Sequence, residues 1–193
     1  MDLSTGTKKI RTAVFISGTG SNLKSLIKFS ILKKSPVSIN LIVSNNTESK
    51  GLNYSKLFKI KKKIYNFNNK SLTEKKVLCE LKKNKISLIC LAGFMEILSK
   101  SFIKNFQGKI LNIHPSLLPK FKGLNTHERA IKSGEKYSGC TVHYVNPKVD
   151  SGKIILQKRV RISKGETPIS LNNKVLAQEH KLYPKAIIKV FNS

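Results

Sequence analysis

The sequence predicts one α/β domain over residues 1–193: a doubly wound, mostly parallel sheet with an antiparallel C-terminal extension and a long final helix. Three observations carry this reading. From Lys9 to Asn112, β-rich runs alternate with runs that repeat their apolar residues at helix spacing, the signature of strand–helix–strand units. Ile86 to Leu91 is an apolar run, as a strand buried on both faces should be. After Asn112 the alternation stops, and a helix is followed by two strands in succession.

Taken in order, Lys9 to Ile16 (KIRTAVFI) is β-rich and ends at a glycine cluster. Ser21 to Leu32 places Leu23, Leu26 and Ile27 on one helical face. Val37 to Val43 is a second strand, closed by the turn residues Ser44, Asn45 and Asn46. Gly51 to Lys62 reads as helix and Ile64 to Phe67 as a short strand. Ser71 to Lys83 is a helix with Ser71, Thr73 and Glu74 as capping residues. The strand at Ile86 to Leu91 is followed by a helix over Ile97 to Phe106 and a strand over Lys109 to Asn112. A helix near His127 to Ser133 precedes the strands Gly139 to Val145 and Lys153 to Ile162. Leu171 to Phe191 is a long amphipathic helix interrupted by Pro184.

Composition narrows the classes. The chain is 39% hydrophobic over 193 residues, enough for a substantial core. It has no apolar run of about 20 residues, and the opening MDLSTGTKKI lacks the apolar centre of a signal peptide. The expectation is a soluble cytoplasmic protein. Cys79, Cys90 and Cys140 are widely spaced and read as small buried hydrophobes, with neither a disulfide framework nor a metal site. The net charge of +27 raises a nucleic-acid binder as a rival class. Against it, the cations are mostly Lys, scattered along the chain apart from Lys59, Lys61, Lys62 and Lys63. There is also no Trp and no aromatic-rich strip for stacking bases.

Ser17-Gly18-Thr19-Gly20-Ser21-Asn22 lies between the first strand and the first helix. Glycines let the backbone approach an anion, and a helix start offers free N–H groups. No Gly-Lys-Ser/Thr follows, Leu23 stands where a dinucleotide fingerprint has its third glycine, and Asn45 and Asn46 stand where its ribose-binding acid belongs. A phosphate site without a dinucleotide is expected.

The densest chemistry runs from Ile110 to Gln157. A strand delivers Asn112 and His114 into a stretch broken by Pro115, Pro119 and Gly123, and Asp150 follows in a turn. An amide donor, an imidazole and a carboxylate to orient it form a candidate catalytic set of Asn112, His114 and Asp150. The bland alternative makes His114 a loop histidine and Asp150 a turn residue.

SGTGSNL (17–23), LAGFMEIL (91–98), NIHPSLLPKFKGLNTHERA (112–130) and GCTVHYVNPKVDSGKIILQ (139–157), with the weaker QEHKLYP (178–184), resemble the folate-dependent phosphoribosylglycinamide formyltransferases. The wider superfamily, including methionyl-tRNA formyltransferase and formyltetrahydrofolate deformylase, shares the Asn-x-His and distal Asp but usually carries a further domain. The resemblance implies a Rossmann-like formyltransferase domain that moves a formyl group from 10-formyltetrahydrofolate to glycinamide ribonucleotide without a metal. Small-molecule substrates, no specific nucleic-acid or membrane partner, and a monomer or homodimer are the accompanying expectations.

By the same matching, Gly20, Ser21 and Asn22 hold the ribonucleotide phosphate, and Glu179 faces its ribose or glycinamide end. Met95, Glu96, Ile97 and Leu98 line the pterin pocket, closed by Asn146, Pro147, Lys148 and Val149, with Asn112 also touching the folate. Asn112 donates to the developing oxyanion. His114 serves as donor or general acid if protonated, and accepts a proton through water if neutral. Asp150 holds the imidazole or a bridging water and should raise its pKa. The stretch Pro115 to Asn125 is a candidate lid. The family's folate-contacting Arg has no counterpart; Glu74, Lys75 and Lys76 lie in its region. Pro147 removes a backbone donor from the folate-facing loop. His143 reads as a structural histidine near the site, His127 as a helix-start residue and His180 as a packing residue.

Overall fold

The computed structural model describes residues 9–191. Residues 1–8, most of the opening segment read above for a leader, lie outside the described residues. Seven strands, β1 (Ile10–Ile16), β2 (Val37–Ser44), β3 (Lys61–Ile64), β4 (Leu88–Leu91), β5 (Lys109–His114), β6 (Tyr137–Tyr144) and β7 (Ile154–Arg161), form one sheet in the order β3-β2-β1-β4-β5-β6-β7. β1 to β5 are parallel; β6 and β7 add antiparallel to β5. The helices are α1 (Ser21–Ile31), α2 (Asn53–Leu57), α3 (Lys70–Lys83), α4 (Lys100–Asn105), α5 (Thr126–Lys132) and α6 (Pro168–Phe191).

Side chains alternate across the pleat, so each strand feeds two cores. Val14, Ile16, Leu88, Cys90, Leu111, Ile113, Cys140 and Val142 pack with α1 and α6. Ala13, Phe15, Ile89, Leu91 and Ile110 pack with Val77, Leu81 and Phe102 of α3 and α4. The same parity puts Asn112 and His114 on the face of Ile110, away from α6. Across the β5–β6 ladder Asn112 pairs with His143, and His114 with Thr141. Four polar side chains thus share one face, beyond the reach of the α3–α4 core.

Several expected boundaries move. Gly51–Lys62 is not one helix: a 3₁₀ turn at Lys50–Leu52 runs into the short α2. Lys59 then takes a left-handed φ of 53°, which ends the helix and starts β3 at Lys61, earlier than the strand expected at Ile64–Phe67. β3 is an edge strand of sequence KKKI; lysines there discourage pairing with another chain. The helix expected from Ile97 begins only at Lys100, because Ser99 caps it by accepting from the Phe102 amide at 3.0 Å. Ile97 and Leu98 are therefore loop. α3 is capped by Asn69, whose side chain accepts from Leu72 N at 3.2 Å, rather than by Ser71 or Thr73. Glu74, expected as a cap, instead accepts from Ser99 N at 2.8 Å and from the Ser99 hydroxyl. Cys79 is exposed, unlike the buried Cys90 and Cys140.

Pro184 does not interrupt α6, which is continuous from Pro168 to Phe191. A proline within a helix frees the carbonyl four residues earlier, here His180. Ser25 on α1 donates its hydroxyl to that carbonyl at 2.8 Å, so the defect becomes a tie between α1 and α6.

Candidate active site

The sheet order reverses between β1 and β4. Connections leave to opposite sides there and open a crevice at the carboxyl ends of the strands, where ligands of such sheets bind. The glycine turn after β1 and the loop after β4 form its two walls. Gly20, the residue before α1, has φ 73°. A Cβ on it would lie 2.6 Å from Gly51 Cα, so only glycine fits. Ser21 and Asn22 form the first turn of α1, where N–H groups lack intrahelical partners. Asn22 donates to Glu179 Oε2 at 2.6 Å, which joins the predicted ribonucleotide residues of α1 and α6. The Asn22 Oδ1 is buried without a partner. Burial pushes the Glu179 carboxyl above its ordinary value, and the Asn22 bond only partly offsets this.

Ser17 ties the two walls together. Its amide donates to Gly93 O at 3.0 Å, its hydroxyl accepts from Met95 N at 2.8 Å and donates to Asn45 Oδ1 at 2.6 Å, and Asn45 donates to Glu96 Oε1 at 3.0 Å. Of the predicted pterin residues, Met95 (65%) and Ile97 (59%) expose large apolar side chains, whereas Leu98 is buried. The Met95 amide is already used by Ser17. Beyond Glu96 lies a cavity of about 380 Å³ lined by Asn45, Asn46, Ile64, Asn66, Phe67 and Asn68, among others. Glu74 is committed to Ser99, so of the residues near the expected Arg only Lys75 and Lys76 remain exposed. Asn146, Pro147, Lys148 and Val149 form the β6–β7 loop, where Asn146 Oδ1 accepts from Lys148 N at 3.0 Å.

The structure brings together Asn112, His114 and Asp150. Asp150 sits in a left-handed conformation, φ 45°, at the end of that loop. Its Oδ2 lies 3.2 Å from His114 Nδ1 and accepts from Gly123 N at 2.9 Å; its Oδ1 accepts from Asn112 Nδ2 at 3.4 Å. His114 Nε2 is 2.9 Å from the Phe121 carbonyl. Both ring nitrogens thus face oxygens, and only a doubly protonated ring donates to both. Burial opposes that charge and outweighs the upward pull of the Phe121 carbonyl and Asp150, so the imidazole titrates below its ordinary value. This corrects the expectation that Asp150 would raise it: the carboxylate acts in that direction but does not prevail. Asp150 is itself held below its ordinary value against its desolvation, by His143, the Gly123 amide and His114.

Sequence reasoning left His143 out of this set. Its Nε2 lies 3.2 Å from Asn112 Nδ2 and 3.6 Å from Asp150 Oδ1, and its Nδ1 is 2.8 Å from the Tyr144 carbonyl. The Tyr144 carbonyl can only accept, so Nδ1 donates to it, and Nε2 stands between the Asn112 amide and the Asp150 carboxylate. The signal was available in principle, since His143 is the cross-strand neighbour of Asn112, but only once the register is known. The Phe121 carbonyl and Gly123 amide are backbone groups and carry no sequence signal. The stretch expected as a lid is held along its length: Thr141 donates to Ser116 O at 2.6 Å and accepts from Leu118 N at 3.1 Å, Gln157 donates to Leu118 O at 2.8 Å, and Arg129 donates to Lys122 O at 2.7 Å. Among the described residues, no group of His, Cys, Asp and Glu is arranged to hold a metal ion, and no helix is long and apolar enough to cross a membrane.

Residues 10–187 match the family model described as formyl transferase. The chain is 40% identical to phosphoribosylglycinamide formyltransferase of Haemophilus influenzae over 183 residues, 93% of this chain and 85% of that protein. It is 43% identical to the human trifunctional purine biosynthetic protein adenosine-3, matching 93% of this chain but only 18% of that longer protein. The crystal structure of phosphoribosylglycinamide formyltransferase from Brucella melitensis superposes with a TM-score of 0.90 at 41% identity, covering 96% of this chain and 97% of that one. With the reversal of the sheet, the glycine turn and the Asn-x-His strand all in place, the chain belongs to the formyl transferase family.

Proposed function

We propose that this chain transfers the formyl group of 10-formyltetrahydrofolate to the amino group of glycinamide ribonucleotide, a step of purine biosynthesis. The observation that carries the reading is the convergence of Asn112, His114 and Asp150 from β5 and the β6–β7 loop. It agrees with the names of relatives that match nearly the whole chain.

In this reading the ribonucleotide phosphate takes the N-terminus of α1 at Gly20–Asn22, and Glu179 faces the sugar or glycinamide end. The pterin enters between Met95–Leu98 and Asn146–Val149, beside Asn112. The amine attacks the formyl carbon, and the carbonyl electron pair moves to oxygen. Asn112 Nδ2 meets that oxyanion by giving up its longer bond, the 3.4 Å contact to Asp150. Neutral His114 accepts the proton that the attacking amine loses, and the imidazolium so formed donates through Nε2, otherwise held by Phe121, to the oxyanion. Collapse of the intermediate breaks the bond to the folate nitrogen, which takes up a proton as the amine loses one. A histidine with a lowered pKa and a carboxylate 3.2 Å away can pass that proton, directly or through water. Tetrahydrofolate and formylglycinamide ribonucleotide leave. No covalent enzyme intermediate is required.

The test is turnover of the formyl donor by the purified chain with and without glycinamide ribonucleotide. Turnover that needs the amine supports the assignment; equal turnover without it assigns the chain to a relative that hydrolyses the donor. Asn112→Ala should keep the fold and lose about 10²–10³ in kcat. Full activity in Asn112→Ala or His114→Ala would remove the mechanism.

A further inference from the structure

Tyr183 lies in the QEHKLYP block and has no place in the mechanism above. It is fully buried, and its hydroxyl is 3.1 Å from Leu91 O and 3.0 Å from Leu111 O. Leu91 is the last residue of β4, and Leu111 immediately precedes Asn112. The two strands run as parallel neighbours up to the Leu91–Asn112 pair. Beyond it, β4 leaves the sheet for the loop that carries Met95–Leu98, while β5 continues beside β6 to His114. The Leu91–Asn112 pair closes the β4–β5 ladder, and the single phenol proton, shared between the two carbonyls, meets lone pairs that the ladder leaves free. The phenol reaches up from α6 into that fork. Glu179, one turn earlier on the same face of α6, reaches Asn22, and the Ser25 bond to His180 O holds this part of the helix against α1.

We propose that Tyr183 is a positioning residue: its hydroxyl bridges the diverging ends of β4 and β5, and so fixes the Asn112 amide relative to the pterin loop. The proposal rests on the formyl-transfer reading. The loop after β4 carries one reactant and the Asn112 side chain meets the developing charge, so the spacing of these two strand ends sets the attack geometry. A small misplacement there is costly to rate, up to about 10²-fold for 1 Å. The plainer role, filling the core and meeting the neighbouring Cys90 thiol, would leave rate untouched in the folded protein.

The two roles separate in kinetics. Tyr183→Phe keeps the ring and removes the bridge; it should lower kcat at saturating substrates about 10-fold or more, with the KM for the ribonucleotide unchanged. Tyr183→Leu, measured in parallel, should lose at least as much. Cys90→Ala keeps the bridge and should keep kcat. Leu81→Ala, in the α3 core, should lower the melting temperature and also keep kcat when assayed well below it. A Phe variant within twofold of wild-type kcat overturns the proposal, as does a comparable loss in Leu81→Ala. Failure of both Tyr183 variants to fold assigns the hydroxyl to folding and overturns it too. Wild-type protein without formyl transfer would instead defeat the functional reading, so the two failures are distinguishable.

Discussion

At the scale of single residues, the site is a set of groups whose ionisation is opposed by burial and supported by neighbours. His114 titrates below its ordinary value, so as pH falls from about 6.5 the unfolded chain takes up this proton first and stability is lost on the acid side. Asp150, also lowered, contributes stability above its unfolded pKa that is lost as pH falls through its folded one. The rate profile should follow His114: the acid limb of kcat/KM should lie below pH 6.5. In Asp150→Asn the residual activity should show that limb moved further down, because the carboxylate's upward pull is gone; an upward move would contradict the assignment. Glu179 has the opposite sign. Its carboxyl is raised in the fold, so the unfolded chain ionises first as pH rises, and stability is lost from about pH 4 upward until the folded group ionises. Glu179→Gln should therefore melt higher than wild type at pH 7, with the difference vanishing below about pH 4. If Glu179 faces the ribonucleotide, the same variant raises its KM. Thermal melts across pH and steady-state kinetics check both.

At the scale of elements, the strands were legible because the alternation of apolar residues matches the two cores they feed. The antiparallel end was legible because two strands follow one another without a helix between them. What misled were loop segments whose apolar residues are exposed rather than packed in a core. Ile97 has the spacing of a helix, yet it is 59% exposed in the loop that Ser99 and Glu74 terminate. The end of α2 was invisible because a left-handed Lys59 has no sequence signature. Asn112 and His114 could be picked from a strand entering a proline-broken loop, whereas His143 needed the β5–β6 register and Phe121 acts only through its backbone. The β6–β7 loop shows how tightly an element can fix a residue. A Cβ on Gly152 would stand 1.7 Å from the Tyr144 carbonyl, a backbone atom that cannot swing away. Gly152→Ala must push the loop off β6 and carry Asp150, two residues away, with it. It should destabilise by about 1–3 kcal/mol and lower kcat about 10-fold or more, while Lys153→Ala, at an exposed neighbour, leaves both near wild type.

At the scale of the whole molecule, the outstanding property is charge: 37 Lys and Arg against 10 Asp and Glu. Among the described residues, the lysine pairs Lys61–Glu80 at 2.7 Å and Lys120–Glu135 at 2.6 Å lie toward the surface, where such pairs contribute little. The excess positive charge repels itself over distances comparable with the Debye length, about 10 Å at 0.1 M salt. The same field reaches the crevice, where the proposed ribonucleotide brings a phosphate to the N-terminus of α1, and it should draw that anion in. Salt therefore acts on stability and on substrate capture with opposite signs. Raising NaCl from about 0.02 to 0.5 M should raise the melting temperature by screening self-repulsion, and should raise the KM for the ribonucleotide by screening attraction. The kcat should hold, because the contacts among Asn112, His114 and Asp150 are local and largely buried from salt. A melting temperature that falls with salt would mean that the surface pairs outweigh the repulsion. A KM indifferent to salt would mean that the phosphate is held by the helix N-terminus and its amides alone, with no contribution from the basic surface.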